Sequence, residues 1–398
     1  MSKLMEAKSA DHAPRFSLVV GGPFHALLSR LGLTGADQLP TLRAAFALAL
    51  LAWLPPALLV VAQSVIDNSY SGWGFFTDLT VYTRYLIAVW VLVATERYAD
   101  SRTIMLVHEF RDARLIPDDS HPAFAAALDI ADRRSSSRLA ELLILLVAVV
   151  WSALSTQYAV EIARSSWEGA VIAGGVSLSW AGEAGRFLSN PLFLFLVLRW
   201  FWRFLVWTVL LYRLSRLRLQ LSPMHPDRSA GLGFLAIYPG IFSGLAFALS
   251  CVVASAMLKE LSFVQHDPQA VWLALALWVA VVLLVFIGPL LVFTPHILAA
   301  REKALLEYGR LVNQFQRAFH HKWIDEARNG KDLMGATDLA PLSSLYAILQ
   351  TVRGLQVIPV DKTAVAQLVI AAGLPLLAVV AKQVSLLAML QWIVGKIL

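Results

Sequence analysis

Cysteine is almost missing from this chain of 398 residues, and its one instance, Cys251, falls inside an apolar stretch. An intramolecular disulfide and any multi-cysteine metal site are thereby excluded. Charge is scarce as well: Asp, Glu, Lys and Arg make up 15% of the residues, and hydrophobic residues 58%, against roughly 25% and 45–50% in a soluble domain. A water-soluble fold has nowhere to hide that excess. Catalytic signatures are also lacking. There is no Gly-x-x-x-x-Gly-Lys-Ser/Thr loop, no His-Glu-x-x-His, no Gly-x-Ser-x-Gly and no Gly-x-Gly-x-x-Gly at a strand-helix junction. An ATP-driven pump, a zinc metalloprotease, an α/β-hydrolase and a Rossmann oxidoreductase therefore have no support. No cofactor is implied.

What the chain does have is apolar runs of about 20 residues or more, the length that crosses a hydrocarbon core of ~30 Å as a helix. The helix follows because each backbone polar group in lipid must be satisfied within its own segment. Spans are expected near 42–65, 79–97, 139–160, 190–213, 231–258, 271–298 and from 363 onward. The fold class is thus an all-α polytopic bundle of about seven spans, with eight as the alternative. Residues 1–41 carry Lys3, Glu6, Lys8, Asp11 and Arg15 without an early apolar core and cleavage site, so the first span is expected to act as the insertion signal.

The formal charge of +6 is not spread evenly. Alternate loops on one side, 1–42, 98–138, 214–230 and 299–363, hold 22 Lys and Arg, and the loops between them hold 3. That asymmetry places the N-terminus in the cytoplasm and turns the basic excess into an orientation signal, with no nucleic-acid partner implied. The opposite loops carry Asp67, Asp78, Glu161, Glu168, Glu183, Glu260 and Asp267.

Three loop regions stand out. In 161–189, Gly169, Gly174, Gly175, Gly182 and Gly185 alternate with apolar residues, which reads either as a surface loop or as a segment dipping back into the membrane. Residues 98–138 read as short solvated helices broken at Pro117 and Pro122. In 299–328, Leu305, Leu306, Tyr308, Leu311, Val312, Phe315 and Phe319 recur at helical spacing, so the sixth span is expected to continue past the membrane. With a helix over 342–355 and an N-cap at Asp361, the segment 299–362 forms a small helical cytoplasmic layer, leaving 42–298 as the six-span bundle. No repeat of 20–50 residues is evident.

Arg199-Trp200-Phe201-Trp202-Arg203 interrupts the fourth apolar stretch. Arginines four apart share a helix face, and each costs ~2.5–3.5 kcal/mol at a span centre on insertion scales. They either line a pore or pair with carboxylates such as Glu96 and Glu141. The C-terminal run from 363 to 398 contains Gly373-Leu374-Pro375 and then Lys382, Gln383, Ser385 and Gln391. A single helix of that length would reach ~50 Å, so an interruption at Gly373–Pro375 is expected. Lys382, Gln383 and Gln391 then either line an ion path, or Lys382 snorkels outward from an ordinary span. In span five, Gly240 and Gly244 form a GxxxG face suited to packing within the subunit.

Before span five comes His225-Pro226-Asp227-Arg228-Ser229-Ala230-Gly231-Leu232. His225, Asp227 and Arg228 could make a proton relay or half a metal site, although Pro-x-x-Pro-Asp is also turn and N-cap chemistry. This run, together with the Arg-Trp-Phe-Trp-Arg element, resembles a group of bacterial multi-pass inner-membrane proteins that show Gly-Gly-Leu where this chain has Ala230-Gly231-Leu232. The resemblance implies a bacterial inner-membrane setting and carries no activity with it. The leading expectation is a homo-oligomeric ion channel or facilitator of small ions in the lipid bilayer. The alternative is a sensor or scaffold that presents cytoplasmic helices to a partner. A membrane enzyme acting on a lipid-linked substrate is the third reading.

Overall fold

The computed structural model describes residues 16–383 except 36, 69–70, 164, 173–174, 264–266 and 322–338. A short helix α1 (Gly22–Arg30) precedes the first span, α2 (Leu42–Ile66). The second span, α3 (Leu79–Asp112), runs far beyond the apolar stretch that starts it. Helix α4 (His121–Ser135) leads into the third span, α5 (Arg138–Ala163). The remaining spans are α6 (Trp180–Ser215), α7 (Gly233–Phe263), α8 (Pro268–His320) and α10 (Lys362–Gln383), with α9 (Leu339–Arg353) preceding the last. Among the described residues, seven helices are therefore long and apolar enough to cross a membrane, as the hydropathy predicts. One end of the bundle carries the basic loops and α4, the extension of α8 and α9. It is called the basic face below, and the other the acidic face.

Helix α6 is the centre of the bundle. Its apolar window is 61% buried, against 22% for that of α8 and 28% for α10. Trp200, Phe204, Trp207 and Leu211 of α6 are in the core with Tyr238, Phe242, Phe286 and Phe293. Phe204 meets Phe242 and Phe286 edge-on at centroid distances of 5.2 and 5.3 Å, arrangements worth about 0.5–1.5 kcal/mol each beyond area burial. By contrast, α5 leaves Leu139, Leu142, Leu143, Leu146, Trp151 and Leu154 exposed. In water that stripe would be untenable; in lipid tails it costs nothing.

Two departures from regular α geometry shape the acidic face. Tyr82–Ala88 of α3 and Gly185–Ser189 of α6 are π-helical turns, the kind of bulge that re-aims side chains. Between α5 and α6 the glycine-rich loop folds into three short antiparallel strands, β1 (Ser165–Ser166), β2 (Gly169–Ile172) and β3 (Gly175–Leu178). Gly169 and Gly175 open β2 and β3, Gly182 and Gly185 belong to α6, and the strands form a small sheet on the acidic face.

The interruption expected at Gly373–Pro375 is not present: α10 passes through it without a break. Pro375 removes one hydrogen bond from the ladder, yet a membrane helix tolerates this when neighbouring helices hold it. Leu368, Ala372, Leu376 and Val379 form a buried seam on either side of the proline. Ser385 and Gln391 lie outside the described residues. Gly240 and Gly244 face partners within the chain, because an added Cβ would come within 2.5 Å of Gln367 and 2.6 Å of Thr95.

Candidate functional site

The arginine pair is closed on itself. Helix α6 starts ten residues earlier than hydropathy suggests, at Trp180, so Arg199 stands roughly 30 Å along it. That moves the pair from mid-membrane to the basic face. There Arg199 and Arg203 each donate Nη1 to Glu96 Oε1 at 2.8 Å, and Arg199 Nε donates to Glu141 Oε1 at 3.1 Å. Side-chain exposure is 4% for Arg199, 2% for Arg203 and 1% for Glu96. Glu141 Oε2 accepts from the backbone of Phe24 at 2.9 Å, and Arg203 also donates to the Val19 carbonyl at 3.3 Å.

One turn after Glu96, Asp100 Oδ1 accepts from Ser17 Oγ at 2.6 Å and from the amides of Leu18 and Val19 at 2.9 and 3.2 Å. The N-terminal residues from Ser17 to Phe24 are therefore strapped across the ionic cluster. Sequence reading missed this strap. The signal available was Phe16–Val20, an apolar run ahead of Gly21-Gly22-Pro23. Neither Arg199 nor Arg203 lines either described cavity, and both side chains are almost fully buried.

The turn before α7 is a structural joint. Asp227 accepts from the amides of Ser229 at 2.9 Å, Gly231 at 3.2 Å and Gly233 at 2.7 Å, and pairs with His225 Nδ1 at 3.0 Å. Partial burial raises its carboxyl, but the three amides and His225 outweigh that and hold it below the usual carboxylate range. Arg228, Ala230 and Gly231 take left-handed backbone with φ of 57°, 58° and 93°. At Ala230 the strain is offset by packing: its methyl is fully buried with Ala304, Val352 and Leu355. The Arg228 carbonyl accepts from Gln356 at 2.7 Å, and Arg301 donates to the Arg353 carbonyl at 2.7 Å. The turn thus ties α7 to α8, to α9 and to the entry of α10. No cluster of three metal-ligating side chains occurs among the described residues.

The acidic face holds the candidate site, a cavity of about 1060 Å³ between α3, α7, the end of α10 and the strand region. Six charged residues line it: Asp78, Arg84, Glu168, Lys259, Glu260 and Lys382. Asp78 pairs with Lys259 Nζ at 2.7 Å, accepts from Thr80 at 2.6 and 2.9 Å, and receives the Trp167 indole N–H at 3.3 Å. Burial pushes its carboxyl up, and the bonds from Lys259 and Thr80 with the Lys259 charge bring it below the ordinary value. Lys382 donates to the Leu258 carbonyl at 3.3 Å and to Ser262 Oγ, which holds the end of α10 against α7. Gln383, the next residue, is not among the lining residues. Of the residues that the sequence offers as pore candidates, Lys382 lines this cavity, and Asp78, Glu168 and Glu260, which the sequence marks only as loop acids, line it as well.

The opposite wall is set by Trp167. Its ring meets Phe75 edge-on at 5.0 Å, its carbonyl accepts from Ser179 Oγ at 2.7 Å, and the Glu168 carbonyl accepts from Ser179 N at 2.9 Å. Gly182 packs so close that an added Cβ would come within 1.9 Å of the Glu168 carbonyl oxygen. Glu168 is thereby fixed at the cavity edge, and burial raises its carboxyl above the usual range despite the nearby charges of Arg84 and Lys259. Arg84 projects from the π-helical turn of α3, and its neighbour Tyr85 donates to Asn190 Oδ1 at 2.8 Å. A pocket that gathers opposite charges on a mostly apolar lining has the makings of a binding site for a small polar molecule.

Seven apolar spans, a lipid-facing leucine stripe and ionic groups sequestered at the bundle ends define an integral multi-pass helical membrane protein. No family model, no curated protein and no solved structure matches the chain.

Proposed function

We propose that the protein is a solute-responsive sensor or scaffold of a bacterial inner membrane, with the basic face and the N-terminus in the cytoplasm. Loop charge asymmetry supports the orientation, which turns the 1060 Å³ cavity outward. The observation that carries the reading is the course of α10. One end, at Lys382, lines the cavity; the other, at Lys362, follows the α9 layer and the joint at Asp227. A solute that changes how α10 packs on α7 biases the cytoplasmic layer for which a partner would compete. The arginines that suggested a conduction path have a structural account in their carboxylate partners, and the helix expected to be broken is continuous.

The test uses full-length protein in nanodiscs, screened against a panel of amino acids, carboxylates, amines and inorganic anions. A solute that raises the melting temperature and also slows hydrogen exchange in 339–362 supports the reading. A rise in melting temperature with unchanged exchange there refutes coupling to the cytoplasmic layer.

A facilitator of small ions, acting as a homo-oligomer, is the second reading. It is favoured by the depth of the cavity, whose lining includes Tyr85 and Ser255 within the spans. Ion flux into liposomes above the protein-free rate, reduced by Arg84→Gln, supports it over the sensor.

A further inference from the structure

The cavity's charges do not all neutralise one another. Asp78 and Lys259 form a direct pair, Lys382 is held by a carbonyl and a hydroxyl, and Glu260 has a partner. Two groups are left over. Arg84 makes no hydrogen bond or ion pair among the described residues, and the Glu168 carboxylate makes none either, although each lies in the other's field.

The backbone that carries each of them is anchored. Arg84 is set by a π-helical turn whose next residue is anchored to Asn190. Glu168 is set by the strand region, pinned through Trp167, Ser179 and Gly182. A partly buried cation and anion kept apart in one cavity each give up hydration without receiving a partner, a cost that a bound ligand of matching charges removes. Exposed arginines and glutamates would carry no such implication.

We infer that the cavity binds a small zwitterion, its carboxylate on the Arg84 guanidinium and its cationic group on Glu168. Arginine suits the carboxylate end because its planar donors engage both oxygens. The apolar lining, including Trp167, Leu79 and Leu258, accommodates the carbon skeleton between the charges. A simple halide would satisfy Arg84 alone, and a simple amine Glu168 alone. The inference rests on the reading of the cavity as an outward solute site and specifies its ligand class.

The experiment measures equilibrium binding to full-length protein in nanodiscs at pH 7. The probes are glycine, L-alanine, γ-aminobutyrate and glycine betaine, which differ in charge spacing, with acetate, methylammonium and chloride as single-charge controls. At least one zwitterion is expected to bind at least tenfold more tightly than every control, a comparison made within the wild-type protein. Arg84→Gln and Glu168→Gln are each expected to weaken it by tenfold or more, with Arg84→Lys retaining part of the affinity. A control that binds as tightly as the zwitterions, with dependence on Arg84, overturns the ligand class while leaving the solute site standing. No saturable binding of any probe overturns both.

Discussion

Arg199 and Glu96 are separated by 103 residues of sequence, yet their charged atoms meet at 2.8 Å in a site almost free of water. Glu96 serves two guanidinium groups through the same oxygen, since Arg203 also reaches Oε1 at 2.8 Å. The cluster joins the second, third and fourth spans to the N-terminal strap. Desolvation makes such a cluster expensive to assemble, and more expensive to leave half-made.

Removing one member is therefore expected to destabilise the bundle strongly. Glu96→Ala strands Arg203 and leaves Arg199 with Glu141 alone, and Arg199→Ala strands parts of two carboxylates. Each should cost about 3–5 kcal/mol, read as a fall in detergent melting temperature and in yield of monodisperse protein. Binding at the acidic-face cavity should be unchanged in whatever folded fraction remains, because the cluster lies roughly 30 Å along α6 from its acidic-face end.

Deleting residues 1–20 tests the strap separately. Asp100 loses three donors and Arg203 loses the Val19 carbonyl. Faster protease cleavage within 98–138 is expected, together with a melting temperature below that of the full chain. Unchanged cleavage would show that the strap bears no load.

Asp227→Ala should loosen the joint between α7 and the helices of the basic face, at a cost of about 1–2 kcal/mol by analogy with helix caps. The sign of the pH effect is fixed. Because the folded carboxyl is held below its ordinary value, its stabilisation is complete above the unfolded pKa of about 4 and is lost as pH falls through the lower folded value. Wild type should lose stability on that side of pH 4, and Asp227→Asn should lack this component while melting lower at pH 7.

Gly182→Ala should damage the cavity rim while sparing the bundle. Its new Cβ would sit 1.9 Å from the Glu168 carbonyl oxygen, so backbone must shift. Overpacking of this sort typically costs about 1–3 kcal/mol. Zwitterion affinity should fall at least as far as for Glu168→Gln, with the cooperative melt of the spans retained.

Affinity at the cavity should also depend on pH through Glu168. Burial raises its carboxyl, so the anion needed for a cationic ligand group is lost, as pH falls, sooner than at an ordinary glutamate. Asp78, Arg84, Lys259 and Tyr85 share the same field, so the comparison that matters is wild type against Glu168→Gln. The variant should bind weakly with little pH dependence over the window in which wild type declines.

Hydropathy carried the spans with little ambiguity, because 20 apolar residues in lipid have essentially one solution. The charge pattern named the right partners for Arg199. What it misplaced was their depth, since the first ten residues of α6, Trp180 to Ser189, contain glycines, Glu183 and Arg186 and read as loop. Pro375 was given more weight than a packed membrane helix allows it. The cavity was illegible for a different reason. Asp78 and Arg84 at the start of α3, Glu168 between β1 and β2, and Lys259 near the end of α7 come from three separate stretches, and a π-helical turn together with the β1–β2 strand pair brings them together. Neither feature has a sequence period that hydropathy can detect.

The strap has a consequence for how the protein is made. Arg203 leaves the ribosome after its partner Val19, which precedes it by 184 residues, with a delay of roughly 10–40 s at ordinary synthesis rates. Until then Glu96 and Glu141 lack their arginine partners, and the contact of the strap with Arg203 cannot form. The strap thus acts as a latch that shuts after the fourth span has arrived.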